Sequence, residues 1–559
     1  MRPPIAALLA LLSLAAGPLP GPAAAQDGGG KGKEENPFGE EAPPPLTPEQ
    51  EKEAAALFDK AKALASKGSS HFPVARPLFQ RFLKLYPGAD EDRLREAEDR
   101  SGENCLAGIE LMHDGGPSSR RIDVELMGDG YLESKYQEFL KHAPSQMVEF
   151  WREPLYAEYE DYFNVWRFDL VSKEEGVDEL SMEERMGAPP PPPEPARPGR
   201  KKKREPKKFS TALNCIAAGP QNQVWADPEQ VQRWRRYLPE SDGLTIAFAK
   251  KGELGMGGGG IATTGRKVAV VHEFGHAFVG LLDEYAVNPM RPQGRIFAAN
   301  AVSTNDDDPR TPPPVDDIPW KHWLKAKHPD VKVLLGGATY QTGVFRPAAS
   351  CAMNSGGSGA MCWVCREEGV LKIYSYVNPV DEYGPVQDVI SMTPAESREF
   401  FVVPMAPKRH RLLVEWYLQR ISTGEPLPPE PAAPVEGGEV SSVADDRASG
   451  MWRGDGDRGF RRRQDPLPEG KPLGSTLKAV EKKLKDNAFR SSVVLKGLDP
   501  GTWKVTARVL DDAKVPGYGF PWVLKDDDRM REEWKTWRVD VTGGAAVVPA
   551  PGPGNPPGR

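Results

Sequence analysis

At 559 residues the chain has room for about two to four domains, each able to bury its own core. Apolar residues at 39% and charged residues at 27% are ordinary for soluble globular protein, while 57 prolines and 56 glycines point to long linkers between folded parts. A net charge of -7 argues against nucleic acid as the main partner, because phosphate binding needs a concentrated basic surface.

Residues 1–25 read as a secretory signal peptide: Arg2, the apolar run Ile5–Ala16, then Ala23-Ala24-Ala25 before Gln26. The run is too short for a membrane span of roughly 20 residues, and an uncleaved anchor is the alternative reading. No later segment looks membrane-spanning, so the mature chain is expected to be secreted or periplasmic. Its five cysteines (105, 215, 351, 362 and 365) then sit in a disulfide-permissive setting.

Residues 26–45 form a Gly-, Glu- and Pro-rich spacer. A helical domain is expected over 46–115. Thr47, Pro48 and Gln50 make a helix start with a capping box, and Ala54, Leu57, Phe58, Ala61 and Leu64 follow at helical spacing. A second helix carries Leu78, Phe79, Phe82, Leu83 and Leu85 and stops at Pro87-Gly88; a third is expected over Asp92–Leu111.

The texture then changes to that of a mixed domain over 120–400. Val124–Met127 and Phe163–Val171 read as strands with a helix over Glu133–Phe150 between them, and Leu244–Phe248 reads as a buried strand. Residues 189–208, five prolines followed by a Lys/Arg cluster, read as a solvated insertion within it. Gly255–Gly260 lacks the Lys-Ser/Thr of a phosphate loop and reads as a substrate-edge loop. A linker over 425–474 leads to strands at Ser491–Lys496, Thr502–Leu510 and Trp534–Val541. With Leu412–Leu418 these suggest a small β-sandwich over 401–424 and 475–545.

The chemistry is concentrated in His272-Glu273-Phe274-Gly275-His276, on the apolar helix Val268–Val279. Two histidines four apart share one helix face, so both imidazoles reach one Zn²⁺ at roughly 2.0–2.1 Å. Glu273 projects beside them, placed to take a proton from a metal-activated water. Gly280 ends the helix, and Asp283 then offers a carboxylate as third ligand, with Glu284, Tyr285 or a distant residue as alternatives. Tyr285 is read either as a partner for the oxyanion or as a residue that packs against and orients Asp283.

His272–His276, continued by Gly280-Leu281-Leu282-Asp283-Glu284-Tyr285, resembles the signature of the IgA-peptidase-type zinc metallopeptidases. Gly128-Asp129-Gly130-Tyr131, Phe163-Asn164-Val165, Ser172 to Gly176-Val177-Asp178, Ala212-Leu213-Asn214-Cys215, Pro319-Trp320, Cys351-Ala352-Met353 and Cys362-Trp363-Val364-Cys365 agree in order. The resemblance covers about Val124–Tyr376. It implies an α+β, metzincin-like zincin fold and hydrolysis of protein or peptide with one zinc per catalytic domain; it does not carry specificity for immunoglobulin. Its Gly comes one residue later after the second His than in the usual metzincin pattern.

Met353 is either the methionine turn that metzincins share or a core residue. Cys351, Cys362 and Cys365 offer a half-site for a second zinc, although compartment logic favours a structural disulfide among them. Asp306-Asp307-Asp308 lacks the spaced ligands of a Ca²⁺ loop and reads as a solvated acidic loop. The competing functional reading is a secreted or surface binding protein. In it the helical and β parts dock a cell-surface or protein partner and the zinc site is degenerate or structural.

Overall fold

The computed structural model describes residues 43–179, 206–218, 223–265, 270–354, 359–422, 474–484 and 487–543. The expected signal peptide, most of the spacer, the Pro/basic insertion up to residue 205 and the linker up to residue 473 lie outside them. Among the described residues, one compact unit ends at Ile373 and a second begins at Tyr374.

The first unit begins with α1 (Pro48–Ala65), α2 (Phe72–Leu85) and α3 (Glu91–Ser101). The capping box forms as its chemistry requires: Gln50 N–H donates to Thr47 Oγ1 and Thr47 N–H to Gln50 Oε1. Ala54, Phe58, Ala61, Phe79, Phe82 and Ala97 make the cluster that holds the three helices together. The expected third helix, Asp92–Leu111, is shorter than its periodicity suggested. The chain leaves the helix at Gly102, and Cys105–His113 becomes strand β1. There Leu106 and Ile109 face Leu170 and Phe168 of a neighbouring strand, a tertiary pairing that outweighs the local helical spacing.

Strands β2 (Ile122–Asp129) and β3 (Phe163–Val171) follow, with α4 (Tyr136–Phe150) and α5 (Pro154–Glu158) between them. A three-stranded sheet of β4 (Asp178–Glu179), β5 (Ile216–Ala218) and β6 (Gln223–Trp225) leads to α6 (Pro228–Arg235). Then come β7 (Leu244–Ala249), β8 (Met256–Gly258) and β9 (Ile261–Thr264). The main sheet has the order β1-β3-β2-β7-β9-β8. Its four inner strands are parallel, and the two edge strands run antiparallel to their neighbours. Every residue of β2 and β7 is buried, as expected of parallel strands covered on both faces.

Asp129, at the end of β2, ties this sheet to a distant segment. Its buried carboxylate accepts from Leu213 N–H (2.7 Å), Thr211 Oγ1 (3.0 Å) and Cys215 N–H (3.2 Å). On the face carrying α4, Phe150, Tyr156, Phe163, Phe274 and Phe278 form one aromatic layer, with Phe150 stacked on Tyr156 at 4.2 Å. That layer seats the helix bearing the two histidines. A second sheet follows, of β10 (Ala286–Asn288), β11 (Phe297–Ala298), β12 (Ala301–Ser303), β13 (Leu334–Gly337) and β14 (Thr339–Arg346).

The second unit is built from two sheets. β15 (Val380–Gly384), β17 (Ser397–Pro404), β21 (Phe489–Lys496) and β20 (Val480–Lys483) form one. β16 (Val389–Met392), β23 (Glu532–Val541), β22 (Gly501–Leu510), β18 (Leu413–Ile421) and β19 (Ser475–Thr476) form the other. Trp416 stacks on Trp537 (5.9 Å), Phe400 meets Trp537, and Trp416 Nε1 donates to Ser491 Oγ across the gap between the sheets. Leu413–Ile421 does pair with Gly501–Leu510 across the linker. Residues 380–400 were read with the catalytic region, but β15, β16 and β17 pair within the C-terminal sheets, and the limit between the units falls at 373/374.

Candidate metal centre

The helix expected over Val268–Val279 is described from Val270, and it changes character halfway. Val270–Phe274 is α-helical, whereas Gly275–Val279 widens into a π-turn, a winding often found at functional sites. Gly280 closes it in the left-handed conformation (φ 80°), its N–H donating to Gly275 O, and Leu281 N–H reaches the same carbonyl. The chain is thereby turned back along the helix, which carries Asp283 to the histidines.

The three side chains meet at one point. His272 Nε2 and His276 Nε2 are 3.2 Å apart, and Asp283 Oδ1 lies 3.2 Å from the first and 3.3 Å from the second. A tetrahedral ion with bonds of about 2.0–2.1 Å would separate its ligand atoms by about 3.3 Å. The tautomers follow from the other ring nitrogens. His272 Nδ1 faces Ala352 O at 2.9 Å and His276 Nδ1 faces Leu281 O at 2.6 Å, and a carbonyl can only accept. Both Nδ1 atoms therefore carry the proton in the neutral rings, which aims both Nε2 lone pairs at Asp283 Oδ1. That oxygen is buried and has no hydrogen-bond donor of its own. Three lone-pair atoms converging without a donor fit a cation, and the His–carbonyl bonds are the orienting contacts that metal-ligating histidines make.

The two imidazoles, Asp283 and Glu273 also act strongly on one another's ionisation. Burial works to raise the Asp283 pKa, yet the two imidazoles outweigh it and hold the carboxylate ionised. Burial disfavours a charged His272, but Asp283 and the Glu273 charge push its pKa up to about 9. Glu273 is pushed up to about 7, chiefly by burial and partly by Asp283, against the lowering pull of both histidines. A carboxylate poised there is suited to accept and return a proton near neutrality.

Strand β8 passes this helix at very close range. A Cβ built on Gly257 would lie 2.2 Å from Glu273 O and 2.8 Å from His276 Cβ; one on Gly255 would lie 2.1 Å from Thr263 O and 3.0 Å from Glu273 Cγ. The Gly-rich run expected as an edge loop is thus an edge strand followed by a turn, with Gly259 (φ 56°) and Gly260 (φ 78°) in the left-handed region.

The Tyr285 ring lies parallel to that of His272 with centroids 6.4 Å apart, and burial, with the Asp283 charge adding to it, pushes its phenol pKa up. Met353 is fully buried, and its Sδ would lie 2.8 Å from a Cβ on Gly275, between the two histidines. Glu284 points away from Asp283 and joins Cys351, Cys362 and Cys365 in a second cluster. No disulfide joins any of the five cysteines, so the bridge expected among 351, 362 and 365 is not made. Asp306, Asp307 and Asp308 are exposed, as expected of a solvated loop.

Sequence reasoning missed Asn300. It is fully buried, with Nδ2 donating to Leu282 O (2.7 Å) and Glu284 Oε1 (3.2 Å) while Oδ1 accepts from Leu282 N–H. No local pattern marks an asparagine that acts on a loop so far back in the chain. Ala338 N–H and Thr339 N–H hold the same loop from the other side through Asp283 O and Tyr285 O.

Residues 109–186 match the family model of IgA Peptidase M64. This is the family that the motif pattern resembles, and it is one of peptidases, hydrolases acting on protein. The matched segment spans most of β1 together with β2, α4, α5 and β3, and so part of the central sheet, but ends before His272. No curated protein matches the chain. Among the described residues, no helix is long and apolar enough to cross a membrane.

Proposed function

We propose that the chain is an exported zinc-dependent endopeptidase of zincin architecture, with His272, His276 and Asp283 as the metal ligands and Glu273 as general base. The observation that carries the reading is the convergence of His272 Nε2, His276 Nε2 and Asp283 Oδ1 at tetrahedral spacing beside the buried Glu273 carboxylate. A zinc ion held there supplies Lewis acidity, lowering the pKa of water to about 7 and polarising the scissile carbonyl.

The chain's own residues do the rest. Glu273 accepts the proton of the attacking water and returns it to the leaving amine. Ala352 O and Leu281 O fix the imidazole orientations through the Nδ1 protons. The loop clamp at Asn300 and the Ala338 N–H bond to Asp283 O set the position of Asp283. Strand β8 lies beside Glu273 and, among the described residues, pairs on one side alone, so its outer edge is suited to receive a substrate as an added antiparallel strand. Main-chain pairing would favour extended peptides over folded protein. The deciding test is Glu273→Gln: retained zinc with abolished peptide hydrolysis is expected, and retained zinc with full hydrolysis would overturn the assignment.

A further inference from the structure

We propose that Glu284, Cys351, Cys362 and Cys365 form a second metal site, a structural zinc site that braces the two segments flanking the first centre. All four side chains are buried, Cys362 at 8% exposure and the others at 0%. One ligand atom from each lies within 4.8 Å of the other three. Cys351 Sγ and Cys365 Sγ are 3.7 Å apart, and Glu284 Oε1 lies 3.6 Å from Cys362 Sγ and 3.2 Å from Cys365 Sγ. For bonds of about 2.3 Å to sulfur and about 2.1 Å to oxygen, a tetrahedron predicts about 3.8 Å between sulfurs and about 3.6 Å between sulfur and oxygen.

The chemistry of the group leads to the same place. Three thiols cannot be satisfied by one disulfide, because one thiol would remain against a buried carboxylate. The second carboxylate oxygen, Glu284 Oε2, is buried with no hydrogen-bond partner, a costly arrangement unless a cation lies nearby. Donors stand around the cluster as they do around metal-bound thiolates: Cys362 N–H points at Cys351 Sγ (3.3 Å) and Asn300 Nδ2 at Glu284 Oε1. A set of three sulfurs and one carboxylate oxygen matches Zn²⁺ in type and number, and it leaves no open position for water, which marks a structural rather than a catalytic ion.

The ligands sit where bracing is needed. Glu284 follows Asp283 directly, and Cys351 precedes Ala352, whose carbonyl orients His272. Glu284 N–H donates to Met353 O at 2.7 Å, so the two segments are already stitched by one backbone bond. An ion shared by Glu284 and Cys351 would fix the third ligand and the carbonyl that orients the first. The site stands without the peptidase reading; its bracing role rests on that reading.

The test counts metal in the full chain purified under reducing conditions. About two zinc ions per chain are expected in the native protein and about one in His272→Ala/His276→Ala. About one is also expected in Cys362→Ser/Cys365→Ser, whose remaining zinc should be lost to a chelator faster than from the native chain. Because the cysteine variant can fail to fold, Co²⁺ alone is also loaded into His272→Ala/His276→Ala. A sulfur-to-cobalt charge-transfer absorption there supports the site, and its absence overturns it. A disulfide between any two of Cys351, Cys362 and Cys365, found by mass spectrometry of the unreduced chain, also overturns it. Loss of zinc from the histidine site alone would count against the peptidase reading and leave this proposal standing.

Discussion

Gly257→Ala places a single methyl group between strand β8 and the helix that carries Glu273. The new Cβ would lie 2.2 Å from Glu273 O, 3.0 Å from Glu273 C and 2.8 Å from His276 Cβ. Carbon and carbonyl oxygen approach no closer than about 3.3 Å in ordinary contacts, so strand and helix must separate by about 1 Å. The backbone atoms on the helix side cannot rotate away. The movement therefore falls on β8, which among the described residues pairs with β9 alone, through Met256 with Thr263, Gly257 with Ala262 and Gly258 with Ile261. Overpacking of this kind costs about 1–3 kcal/mol in stability. A misplacement of about 1 Å beside the reacting groups costs about a hundredfold in rate, equivalent to about 2.7 kcal/mol. The assay is kcat/KM on a cleaved peptide, with zinc content and Tm measured on the same preparation and Gly294→Ala, which meets nothing within 4 Å, as control. The expected result is about a hundredfold loss in kcat/KM with zinc retained. Native kcat/KM in Gly257→Ala would refute the argument that β8 is held against the catalytic helix.

Glu273→Gln should retain zinc and lose about two to four decades of kcat, the contribution typical of a positioned acid–base group. Asp283→Ala should lose zinc on mild dialysis, and unchanged zinc content would move the third ligand elsewhere. In the C-terminal unit, Glu532 is held at about 2 against a usual 4.5: burial opposes this, but Arg508, Arg529 and Trp534 together outweigh it. A depressed carboxylate pKa stabilises the fold fully above the unfolded value, and that contribution is lost as pH falls from about 4.5 towards 2. After discounting for solvent screening, Glu532→Gln should cost about 1–2 kcal/mol at neutral pH by denaturant unfolding of the unit, and the gap should close in acid. Trp537→Ala, which empties the contact between the two sheets, should cost about 3–5 kcal/mol in the same measurement.

How much of this was legible beforehand depends on how local each signal is. β3 begins and ends where the apolar run Phe163–Val171 does, and Thr47 caps α1 with the partner its spacing named, because both are decided within a few residues. His272, His276 and Asp283 could be grouped in advance because helical spacing and one glycine turn relate them. β1 was misread as helix because its fate is set by pairing with β3, some 60 residues away in the chain (Leu106 with Leu170). Asn300 and the joining of Glu284 to three cysteines were invisible for the same reason: only the fold brings 284, 300, 351, 362 and 365 together. The expected disulfide is not made in the structure, since compartment reasoning weighs the redox setting and not where a neighbouring carboxylate will lie.

The central claim, peptide hydrolysis at a metal centre served by Glu273, is tested most directly by incubating the full-length protein with a peptide library, with and without a chelator, and reading the products by mass spectrometry. Cleavage at internal peptide bonds that stops with the chelator, returns with Zn²⁺ and is absent in Glu273→Gln is the expected result. Cleavage untouched by the chelator, or no cleavage by a chain that holds zinc at His272, His276 and Asp283, would contradict it.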